Sequence, residues 1–71
     1  MTNYRKTKFY KELTSYLATA YAEGFCEGEN ATEKEQLTAW QYIYDEKLYL
    51  NLQGWFGRNV MSLLEAGLIK K

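Results

Sequence analysis

Leu52-Gln53-Gly54-Trp55-Phe56-Gly57-Arg58-Asn59-Val60-Met61-Ser62-Leu63-Leu64-Glu65-Ala66-Gly67 is the stretch from which the fold is read. Phe56, Val60, Leu63 and Leu64 recur at helical spacing and form one apolar stripe, which a helix buries against a core. Gly67 predicts its end, because glycine adopts the left-handed conformation that closes helices; Leu68 and Ile69 can then fold back as the hydrophobic contact after the cap. The two glycines at the front are unexpected, since each Gly in a helix interior costs about 1 kcal/mol relative to Ala. Gly54, Gly57 and Gly67 are therefore read as structural, the first two marking a special backbone shape, a close approach, or both.

Two starts are open to this helix. Asp45 as cap gives one long segment from Leu48, whereas Asn51 as cap leaves Leu48-Tyr49-Leu50 as an extended connector. The expectation carried forward is a helix over about 49–66. Upstream, Thr32 with Glu35 three residues on has the form of a capping box. Leu37, Trp40, Ile43 and Tyr44 then share one side of a helix over about 32–45. Residues 24–31, with two glycines and an asparagine, read as a loop from which Phe25 folds onto the core. Before it, Tyr10, Leu13, Leu17, Ala20 and Tyr21 recur at helical spacing and predict a helix over about 3–23, ended by Gly24. With no proline, no Ser/Gly linker and no internal repeat, residues 1–71 read as one all-α, compact three-helix domain.

A chain of this size buries only about 60% of the surface its unfolded form exposes. One cysteine, Cys26, gives no internal disulfide, and the absence of histidine removes the ordinary zinc ligand sets. Dense aromatic packing and self-association are the remaining stabilisers. Seven Tyr, three Phe and two Trp supply the first and leave apolar area for the second. Nine basic and nine acidic side chains cancel, so the overall basic field of a strong nucleic-acid binder is missing. The charge is nonetheless segregated. Arg5, Lys6, Lys8 and Lys11 precede any acid, while Glu23, Glu27, Glu29, Glu33, Glu35, Asp45 and Glu46 face only Lys34. No apolar run approaches the roughly 20 residues that span a bilayer, so no membrane partner is expected. The basic start has no apolar segment behind it and does not read as a secretory signal. A lone cysteine fits a reducing, cytoplasmic setting.

From about Thr32 to Ile69 the chain resembles a family of small proteins encoded by tailed bacteriophages. In that family a glutamate-rich helix start leads to a Gln-containing helix and an Asp-x-Gly turn. Leu-Gln-Gly-x-(Tyr/Phe)-Gly-Arg and then Leu-Ile-x-x-Gly-(Leu/Ile/Val) follow. The matching positions are Glu33, Glu35, Gln41, Ile43, Asp45, Leu52, Gln53, Gly54, Phe56, Gly57, Arg58, Leu63, Leu64, Gly67 and Leu68. Lys47 departs from the turn glycine, which argues against a left-handed turn there, and Val60 replaces a small residue. The resemblance brings no established activity. What it implies is a phage origin and residence in the cytoplasm of the infected bacterial host.

No residue set points to catalysis. Cys26 lacks a histidine base, the carboxylates show no acid–base spacing, and Glu23, Glu27 and Glu29 lack the EF-hand pattern. The chain is expected to be no enzyme and to need no cofactor or metal. Gly54-x-x-Gly57 has the spacing of a KH-domain loop, but aromatics fill it and no strands accompany it. Trp55, Arg58 and Gln53 are the candidate partner-binding residues, because Trp and Arg dominate interface energies. Anion binding at the helix N-terminus, aided by Arg58, is a further reading of the same segment. The leading expectation is a protein–protein interaction module acting on a bacterial or phage protein, with self-association into a dimer aided by surplus tyrosines. The alternative is a helix-turn-helix-like nucleic-acid-binding module using Arg5, Lys6, Lys8 and Lys11 on phosphate and Arg58 with Asn59 near the bases. Zero net charge and the acidic second helix weigh against it.

Overall fold

Three threonines set the helix starts. In the computed structural model, which describes residues 3–24, 28–52 and 54–71, the Thr7 hydroxyl accepts from the Tyr10 amide at 3.2 Å and Thr14 from Leu17 at 3.2 Å. Thr32 accepts from Glu35 at 3.1 Å, and Glu35 Oε1 accepts from the Thr32 amide at 2.9 Å, which completes the capping box expected from sequence. Each cap satisfies a backbone N–H that the first helical turn leaves without a partner. The elements are a 3-10 turn Tyr4–Lys6, α1 Lys8–Lys11, α2 Ser15–Glu23, α3 Glu33–Asp45, a 3-10 turn Leu48–Leu50 and α4 Gly54–Glu65.

The architecture is all-α, as the sequence indicates, with the first helical segment divided. Instead of one helix over 3–23, Thr7 and Thr14 both sit in extended backbone and each begins a new helix. Thr hydroxyls bond neighbouring amides and so compete with helix continuation. The break turns Leu13 into the core, where it is 8% exposed. Gly24 ends α2 at φ 77° and Gly67 follows α4 at φ 74°. After α4 the Leu68 amide donates to Leu63 O at 3.0 Å and the Gly67 amide to Leu64 O at 3.1 Å, a Schellman closure. Ile69 folds back and is buried, while Leu68 stays 44% exposed.

Leu13, Ala18, Leu37, Ala39, Trp40, Ile43, Phe56, Val60 and Ile69 form the core, drawn from α2, α3, α4 and both flanking segments. Ala18, Ala20 and Ala39 are fully buried, and these small side chains let α2 and α3 pack closely. No helix among the described residues is long and apolar enough to cross a membrane. Phe25 and Cys26 lie outside the described residues.

Candidate functional site

Lys47 creates the surface that stands out. It follows α3 in the left-handed conformation, φ 57° and ψ 30°, so the left-handed turn exists although a lysine occupies it. The backbone closes through the Lys47 amide on Tyr44 O at 3.1 Å and the Leu50 amide on Lys47 O at 3.2 Å. This tight return makes Leu48–Leu50 a 3-10 turn rather than an extended connector, and α4 begins at Gly54 rather than near residue 49. Tyr49 stacks on Tyr44 with centroids 6.2 Å apart and planes at 12°. Its ring also covers Gly57, with Cδ2 lying 3.8 Å from where a Cβ would stand.

α4 divides cleanly into two faces. Phe56 and Val60 enter the core, and Phe56 meets Trp40 with centroids 5.5 Å apart. Trp55 bridges core and surface, packed on Phe56 at 4.1 Å and edge-on to Trp40 at 6.0 Å, yet 36% exposed. The opposite face carries Gly54, Arg58, Met61, Ser62 and Glu65, all exposed. Between this face and the Tyr49–Leu52 segment runs an open groove of about 740 Å³, lined by Tyr49, Leu50, Leu52, Gly57, Arg58 and Met61 among others. Leu50 at 67% and Met61 at 44% exposure make its rim apolar. Arg58 makes no ion pair among the described residues.

The glycines of α4 take on a different meaning here. Neither has positive φ, and a Cβ would meet only the flexible Arg58 side chain at 3.4 Å from Gly54, or Tyr49 at 3.8 Å from Gly57. The chain itself therefore has room for alanine at both positions; of the two alternatives read from sequence, the special backbone shape is absent, and the approach of the Tyr49 ring to Gly57 is at ordinary contact distance. Gly57, in the helix interior, still costs about 1 kcal/mol in helix propensity. What the missing methyls do is keep the groove floor open.

A second polar centre lies elsewhere and binds the fold together. The Asp45 carboxylate accepts from Arg5 Nε at 2.7 Å and Nη2 at 2.6 Å, from the Tyr10 hydroxyl at 2.7 Å and from Gln41 Nε2 at 3.1 Å. Gln41, 1% exposed, also exchanges two hydrogen bonds with the Lys70 backbone, at 2.8 and 2.7 Å. Arg5 Nη2 donates to Lys70 O at 2.9 Å. Burial alone would raise the Asp45 carboxyl, but hydrogen bonds from Arg5, Tyr10 and Gln41, with the Arg5 charge, outweigh it and hold the group below its ordinary 3.8. The Tyr10 hydroxyl is pushed well up by burial and by donating to Asp45, and Arg5 is raised chiefly by its bond to Asp45.

No protein-family model, curated protein or solved structure matches the chain.

The residues expected at a binding site thus separate. Trp55 and Arg58 lie on the exposed side of α4, and Gln53 is outside the described residues. Lys6, Lys8 and Lys11 are exposed and Asn59 half-buried, but the Arg5 guanidinium is engaged by Asp45 and Lys70. The link between α3 and α4, residues 46–53, exceeds the 3–4 residue turn of a helix-turn-helix unit. Leu50 and Met61 were missed as surface residues, whereas Tyr49, one of the surplus tyrosines, is half-buried against the core. The available signal was that both are large and lie off the apolar stripe of the nearest helix.

Proposed function

We propose that this protein is a non-catalytic module that works by binding another protein through the α4 groove. The carrying observation is an open groove lined by two exposed apolar side chains, Leu50 and Met61, and by the Arg58 guanidinium, which makes no ion pair among the described residues, with the exposed Trp55 on the same helix beside it. Protein interfaces favour that combination: apolar and aromatic anchors at the centre, with arginine beside them. Trp55 already rests on Trp40 and Phe56, so docking a partner against it orders little that is not already ordered. The binding act is occlusion of a partner's surface, and its setting is the cytoplasm of a phage-infected bacterium, the one implied by the resemblance of residues 32–69.

The test is affinity capture of tagged protein from a bacterial lysate, with and without nuclease, beside the Arg58→Ala variant. A dominant protein that survives nuclease and is lost with Arg58→Ala supports the reading. Capture that disappears with nuclease overturns it in favour of nucleic-acid binding.

A further inference from the structure

The exposed face of α4 has a charge order that is complementary to itself. Gly54, Arg58, Met61 and Glu65 follow at intervals of four, three and four residues, which places them along one side of the helix. Arg58 is positive in the first half, Met61 sits in the middle and Glu65 is negative in the last turn. A parallel neighbour of the same sequence would set like charge against like. An antiparallel one sets the Arg58 end of each copy against the Glu65 end of the other, twice by symmetry.

The helix dipole points the same way. α4 has no acidic residue in its first turn and no basic residue in its last. Glu65 instead lies at the end where carbonyl groups already concentrate negative charge. An antiparallel copy brings an arginine to that end and an acid to the other. Gly54 adds the steric condition, since it is exposed, is not demanded by packing within the chain and admits a second helix close to the backbone. Leu50 and Met61 supply the apolar contact.

We propose that the occupant of this groove is a second copy of the chain, docked with its α4 antiparallel so that Arg58 of each copy meets Glu65 of the other. This rests on the protein-binding reading above and names the partner of the same site. A helix of this length is about 18 Å long at 1.5 Å per residue, so the contact falls at the small end of specific interfaces. The dimer is reversible and sensitive to its charges.

Sedimentation analysis of the whole protein tests this, comparing the wild type with Arg58→Glu, Glu65→Arg and the double exchange. Both side chains are exposed, and circular dichroism checks that each variant folds. The wild type is expected to dimerise, each single reversal to weaken the dimer by about tenfold or more, and the double exchange to return it to within about threefold of wild type. Three results overturn the proposal: a wild type still monomeric at about 1 mM, single variants that dimerise as well as wild type, or a double exchange that restores nothing. A monomeric wild type that still captures a protein in an Arg58-dependent manner removes the dimer and leaves the binding reading standing. Loss of both removes the two together.

Discussion

Replacing Asp45 with alanine removes the acceptor of four hydrogen bonds at once: two from Arg5, one from Tyr10 and one from Gln41. The cost follows from how well water can replace them. The Asp45 side chain is 16% exposed and that of Arg5 35%, so solvent reaches the guanidinium and its share shrinks to about 1 kcal/mol. Tyr10 is half-buried and Gln41 almost wholly buried. Each donor left without a partner there costs about 1 kcal/mol or more. The sum is about 3 kcal/mol, from a total of about 4–10 kcal/mol for a domain of this length. In a domain this small that lowers Tm by about 12–24 °C. Urea unfolding followed by the fluorescence of Trp40 and Trp55 measures it directly. A loss below about 1 kcal/mol with an unchanged denaturant slope would refute the reasoning, since the pair would then be behaving as an ordinary surface ion pair. The pH dependence has a definite sign. Because the folded Asp45 carboxyl lies below 3.8, the unfolded chain binds the proton more readily. The contribution is fully present above that value and is lost as pH falls through the lower folded one. Asp45→Ala should flatten the acid limb of the stability curve.

Three other substitutions probe the turns and the groove. Lys47→Gly relieves a left-handed non-glycine residue and should raise stability by about 0.5–1 kcal/mol in the same urea assay, whereas a loss would mean that the lysine side chain contributes contacts of its own. At Gly28 a Cβ would fall onto the Ala20 carbonyl and the Tyr21 backbone, so Gly28→Ala should destabilise by about 2–3 kcal/mol. Gly57→Ala should stabilise the monomer by about 0.5–1 kcal/mol while weakening association in sedimentation, because the methyl fits the helix and fills the groove. Parallel losses in both assays would contradict that separation.

What the sequence disclosed depended on how local the physics was. The Thr32–Glu35 box and the Gly67 closure each involve residues within one turn, and both are present. The side of α3 carrying Leu37, Trp40 and Ile43 was equally readable, since periodicity alone decides which face is buried. The break before Thr14 was not, because Leu13 and Leu17 keep helical spacing across it and the competing hydroxyl is a single side chain. Nor was the left-handed Lys47, an exposed lysine without the short polar side chain that favours this conformation. Arg5 illustrates the limit most plainly. Among three lysines it read as a phosphate contact, and only a partner 40 positions away turns it inward. The groove depends on Tyr49 and Met61 meeting in space, which no spacing rule along one helix encodes.

The bonds around Gln41 and Asp45 also have a mechanical consequence. Arg5 near one end of the chain and Lys70 near the other are fastened to the same turn of α3, and to each other through the Lys70 carbonyl. Tension applied between the two ends therefore runs through a few parallel side-chain bonds before it reaches any helix. These bonds share the load, and behind them the ring contacts of Phe9 on Tyr21 and Tyr10 on Tyr42 and the buried Ile69 still hold α1 and the final segment. The seam is thus fastened twice, by polar bonds first and by packing after them.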